Sequence, residues 1–185
     1  MSTSPNTRFA IRIWHFKDNV LKVNIPRNDV TVTVAGIPTP TAFGFGGWVA
    51  MTKANDGQQV LMGDLVLLQD EVNPVMSALL ENGFDVTALH NHFFRDEPRM
   101  FYMHVHGHGS AADLAQKLKP ALALIGRSTG GSAVSAPTAA PAQNALDTTK
   151  LAEIVGAKGE QTGAVYKFTL PRTDLTVTER LFITT

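Results

Sequence analysis

The chain of 185 residues contains no cysteine. Disulfides, thiolate zinc sites and a cysteine nucleophile are therefore excluded. The compartment stays open, because a cysteine-free chain suits oxidising and reducing surroundings alike. Charge of either sign is scarce: 16 Lys and Arg balance 16 Asp and Glu, for a formal net charge of zero. With no basic tract to follow a phosphate backbone, nucleic acid is not an expected partner. No apolar run approaches the roughly 20 residues needed to span a bilayer, so no transmembrane segment is expected. Met1 to Ala10 lack the apolar stretch of a signal peptide. The glycines Gly44, Gly46 and Gly47 do not form a phosphate loop, since no lysine follows in the required place. Neither Ser77 nor Ser110 sits in a nucleophile elbow.

The sequence concentrates chemistry in one place. Five of its six histidines fall in the 19 residues from His90 to His108. They come as His90 and His92, then His104, His106 and His108, on either side of a charged turn.

Around that stretch the hydrophobic periodicity lays out a domain. Residues 1–19 read as an irregular N-terminal segment, with Ile11, Ile13 and Trp14 opening a short strand. Leu21 to Val34 reads as two alternating strands joined by a turn at Pro26 to Asp29. Ala42 to Met51 is a strand rich in glycine and aromatics, and Asn55 to Gly57 is a hairpin turn. Val60 to Leu68 is apolar on both faces, which predicts a central strand. Asn73 and Pro74 suit the N-cap and first position of a helix whose stripe is Val75, Met76, Leu79 and Leu80, with Gly83 closing it. Phe84 to Phe94 and Arg99 to His106 follow as strands. Ser110 and Asp113 cap a second helix with core residues Leu114, Leu118, Ala121, Leu122 and Ile125. Pro120 is expected to kink or divide it, and Gly126 to close it. The expected fold is α+β, one antiparallel sheet with two helices on one face. It is ferredoxin-like, or a permuted ferredoxin-like unit with its last strand moved to the front.

An internal repeat follows. Lys22, Pro26, Arg27, Asp29, Thr31, Val32 and Thr33 recur in step as Lys167, Pro171, Arg172, Asp174, Thr176, Val177 and Thr178. Chance alternation would align apolar residues but not Pro-Arg-x-Asp, so the pattern reads as a duplication. The expected organisation is a complete domain at 20–126, a flexible linker at 127–146 rich in small residues, and a truncated start of a second copy at 147–185. Asp147 would cap a short helix before that copy's hairpin. A hairpin alone is marginal, so it is a candidate for self-association.

Four segments carry a resemblance to a known family: Met62 to Leu68, Glu71 to Leu79, Thr87 to Phe94 and Pro98 to Gly107. Together they resemble the LppY/LpqO family of bacterial proteins, which includes predicted mycobacterial lipoproteins. The resemblance covers Leu21 to Ile125 and begins again over Lys150 to Thr178. It implies a domain often present in two copies and often exported, and it brings no assigned reaction.

Residues two apart in a strand share a face, so His90 goes with His92, and His104 with His106 and His108. The two strands are expected to pair as an antiparallel hairpin. With His90 opposite His104 and His92 opposite Tyr102, all five histidines gather on one face; a slip of one residue scatters them. Their density favours the gathering register, although Phe84, Val86 and Ala88 share His90's face by plain alternation. An all-nitrogen cluster suits Zn, Cu, Ni or Fe(II). The candidate metal ligands are His90, His92, His104, His106 and His108, with Glu71 and Tyr102 as further candidates. Bland roles stand beside these: helix capping for Glu71, aromatic packing for Tyr102, a solvated turn for Asp96 and Glu97, an edge or bulge for Asp64, and a surface position for His15. Three functions remain: a transition-metal-binding domain, enzymatic through an unspecified reaction; a non-catalytic module for a small molecule or partner; or a structural fragment of a two-copy protein.

Overall fold

The computed structural model describes residues 14–127 and 146–176. The chain divides into two compact units, residues 1–139 and 140–185.

The first unit is built on a six-stranded antiparallel sheet. Its strands are β1 (Trp14–Lys17), β2 (Val20–Pro26), β5 (Gly46–Lys53), β6 (Gln59–Leu68), β9 (Met100–Gly109) and β7 (Asp85–His90), in that spatial order. Helix α1 (Gln69–Glu81) links β6 to β7, and α2 (Ala111–Leu122) follows β9. Strands β6, β9 and β7, with α1 crossing over, form a split β-α-β. With β5 on the outer side of β6, the order is that of a ferredoxin-like unit whose last strand leads. The α+β fold expected from the periodicity is therefore the fold found.

Both helices cover one face. Leu61, Leu65 and Leu67 of β6 and Met103 and Val105 of β9 meet Val75 and Leu79 of α1 and Leu114 and Leu118 of α2. The opposite face carries Val60, Met62, Asp64 and Val66 of β6. At one end it is covered by a small sheet of β4 (Ile37–Thr39), β3 (Val32–Val34) and β8 (Asp96–Glu97). Val32, Phe45, Val66, Met100 and Tyr102 form a second core there.

Several expectations need correction. Leu21 to Val34 is not a hairpin: β2 pairs with β1 and β5, while β3 joins the small sheet. The hairpin turns flanking these strands are Asp18-Asn19, between β1 and β2, and Ala35-Gly36, between β3 and β4, all four at positive φ as type I′ turns require. Helix α1 starts at Gln69, ahead of Asn73, because the Glu71 carboxylate accepts the Leu68 N–H at 2.8 Å and does the capping. Gly83 does terminate it at φ 78, with Phe84 N–H bonded to the Leu79 carbonyl. Pro120 does not divide α2; it lies in the last turn. Asp96 is buried and accepts the Met100 N–H at 2.9 Å, so it is not part of a solvated turn.

In the second unit, α3 (Thr148–Val155) is capped by Asp147, whose side chain accepts the Lys150 N–H, and ends at Gly156 with φ 72. Strands β10 (Glu160–Thr162) and β11 (Val165–Lys167) pair antiparallel. The expected linker falls largely outside the described residues, as do Val177 and Thr178. Among the described residues no helix is long and apolar enough to cross a membrane.

Candidate functional site

The face of the sheet away from the helices collects the histidines, and a bulge in β7 is the reason. Asp85 pairs with His106 and Val86 with Val105; the register then shifts at Thr87, so that Ala88 pairs with His104, Leu89 with Met103 and His90 with Tyr102. An extra residue reverses the alternation of everything beyond it. Phe84 is buried in the main core with Val86 packed against it, yet His90 emerges on the same face as Tyr102, His104 and His106. The gathering face is the one favoured above, but the pairing is offset by two residues: His90 lies opposite Tyr102, and His104 opposite Ala88.

His90 is the hub. Its ring centroid lies 4.9 Å from His104, 5.1 Å from His92 and 5.9 Å from Tyr102. His92 stacks on Tyr102 at 3.4 Å, with 12° between the planes. The Tyr102 hydroxyl donates to the Gly44 carbonyl at 2.9 Å. Burial, followed by the charges of Asp96 and Asp64, pushes its pKa well up, so it is a fixed donor and not an acid at ordinary pH.

Asp64 completes the group, and the periodicity misplaced it. It lies in the middle of central strand β6, neither at an edge nor in a bulge, directly opposite His104 in the register. Its side chain is 19% exposed, and Oδ1 makes no hydrogen bond while lying 3.8 Å from His104 Nε2. Burial raises its pKa, against the pull of His104, His92 and His90. Burial also lowers the pKa of His92, with His90 and His104 acting in the same direction and Asp64 against them. A neutral imidazole at pH 7 keeps a lone pair for a Lewis acid or a proton. The sequence did carry a signal for Asp64: a lone carboxylate in a strand apolar on both faces needs a polar partner.

The other candidates separate from this group. His106 Nδ1 lies 3.6 Å from Asp85 Oδ2, and His108 Nε2 lies 3.0 Å from Asp56 Oδ2. His15 lies on the edge strand β1, where it pairs with Lys22, and three strands separate β1 from β9. Glu71 goes to Arg27: Oε2 accepts Nη1 at 2.6 Å, Oε1 accepts Nη2 at 3.2 Å, and the Leu68 and Gly126 N–H groups complete both oxygens. Among the described residues, no group of three or more histidine, aspartate or glutamate side chains is set to hold a metal ion as it stands.

Residues 12–124 match the family described as Domain of Unknown Function (DUF1259). No curated protein matches the chain. No solved structure does so either. The match spans more than half of the sequence, and the chain belongs to that family.

Proposed function

We propose that this domain binds a divalent transition metal through His90, His92 and His104, with Asp64 as the carboxylate partner, and that Zn, Cu, Ni or Fe is the occupant. The reading rests on one juxtaposition. Three imidazoles with ring centroids 4.9 and 5.1 Å from the central one stand beside a half-buried aspartate oxygen that lacks a hydrogen bond. Imidazole nitrogens about 2.0–2.1 Å from a tetrahedral metal hold their rings about 5 Å apart, so the spacing fits. Closing the set requires rotation of side chains, in particular release of His92 from its stack on Tyr102. His106 and His108, each beside its own carboxylate, would extend the polar strip along β9 and not enter the same coordination sphere. A metal held by the three imidazoles, with Asp64 beside it and not bonded to it, would keep one position open for a water of lowered pKa. On this reading the LppY/LpqO resemblance is the finer level of the family, and the Pro-Arg-x-Asp repeat marks a duplicated domain.

The test is metal content of tagless protein, followed by equilibrium dialysis against zinc. About one zinc per chain is expected. His90→Ala with His104→Ala should abolish uptake, and His106→Ala with His108→Ala should retain it. No uptake of zinc, copper or nickel by the wild-type chain would sink the reading.

A further inference from the structure

His92 faces two ways. On one side it belongs to the histidine group; on the other it lines a shallow cleft of about 480 Å³ with Val34, Ala35, Phe93, Phe94 and Arg95. That volume falls in the range of small-molecule sites. The floor and wall are apolar. Phe93 is held in place by Phe45 at 5.3 Å and Phe43 at 6.1 Å. The rim is built by the Ala35-Gly36 turn, whose Ala35 N–H is bonded to the Arg95 carbonyl at 2.8 Å.

Two side chains on this cleft are out of keeping with a solvated loop. Phe94 is 97% exposed, an apolar ring that no described residue covers. Arg95 is exposed and has no carboxylate partner among the described residues, whereas Arg27, Arg99 and Arg172 each hold an aspartate. Asp96 next to it points inward and is committed to the Met100 N–H and Arg99. An unpaired guanidinium beside an apolar trough is complementary to a molecule with an anionic head and an apolar body.

We propose that this cleft binds a small amphipathic carboxylate, its head on Arg95 and its apolar chain against Phe93, Phe94 and Val34, with His92 at the boundary with the histidine group. This names the class of organic ligand for the proposed site and rests on that reading only through His92, so the two are tested apart. Decanoate, kept below its micelle concentration, is titrated calorimetrically into metal-free chain. Saturable binding is expected. Arg95→Ala should weaken it by roughly tenfold or more, Arg95→Lys should weaken it less, and Phe94→Ser should also weaken it. Both positions are exposed, so thermal melts of the variants should match the wild type. The uncharged alcohol decanol should bind far more weakly. No saturable binding, decanol binding as tightly as decanoate, or Arg95→Ala binding unchanged would each overturn the proposal. Sedimentation with phosphatidylglycerol vesicles without decanoate binding would do so too, and would assign the patch to a membrane surface. A chain that binds decanoate but no zinc sinks the metal reading alone; one that takes zinc but not decanoate sinks this one alone.

Discussion

Arg27 is the largest side chain fully buried among the described residues, at 1% exposure. Burial works against its charge, but Asp29 and Glu71 outweigh that penalty and hold the guanidinium above its ordinary range. Nη1 also donates to the Val66 carbonyl at 2.7 Å. Glu71 therefore ties the start of α1 to the end of β2 and to Gly126. Removing one member of a buried pair leaves the other charge uncompensated and costs about 3–5 kcal/mol. Glu71→Ala should accordingly lower the melting temperature by roughly 10 °C or more. Zinc uptake by the protein that stays folded in the cold should be unchanged. A melt within a few degrees of wild type, or zinc lost from a folded variant, would return Glu71 to the ligand set. The sequence marked Glu71 and Arg27 separately, Arg27 only as part of a repeated Pro-Arg-x-Asp. That they meet across 44 positions is a tertiary fact that periodicity does not carry.

At the scale of the element, the bulge at Thr87 resolves a conflict that plain alternation could not. Phe84, Val86, Ala88 and His90 fall on one face of an unbroken strand, so core and site made opposite claims on β7. One extra residue satisfies both. A strand apolar on both faces, such as β6, was legible from the sequence; the site was legible as a cluster of residue types but not as a register, because nothing local to Thr87 marks the bulge. Deleting Thr87 restores simple alternation. Buried Phe84 should then hold its place and turn His90 toward the core, weakening zinc binding by about tenfold or more. Thr87→Ala keeps the residue count and should bind zinc as the wild type does. Paired zinc titrations decide the matter, and a deletion variant of wild-type affinity would remove the bulge from the account.

At the scale of the molecule, the two units differ in what they bury. Both hydrophobic cores lie between Ile25 and Ile125. Among the described residues of the second unit none is buried. Yet that unit reproduces details of the first. Lys167, Tyr166 and Val165 pair with Glu160, Gln161 and Thr162 just as Lys22, Leu21 and Val20 pair with His15, Phe16 and Lys17. Arg172 grips Asp174 through Nε at 2.8 Å and Nη2 at 2.7 Å, as Arg27 grips Asp29 through Nε at 2.9 Å and Nη2 at 2.8 Å. The difference is the carboxylate equivalent to Glu71, which Arg172 lacks among the described residues; its side chain is 68% exposed. Local sequence is thus enough for the hairpin and the Arg-Asp clasp, while stability comes from the core beneath them. Residues 1–139 expressed alone should melt cooperatively near the full chain's temperature and keep its zinc. Residues 140–185 alone should show no cooperative transition by circular dichroism, since one short helix and a two-stranded ribbon bury too little to offset their ordering entropy. A cooperative melt of 140–185 would mean that the second unit has a core of its own, and the repeated clasp would then be part of a fold and not an isolated local motif.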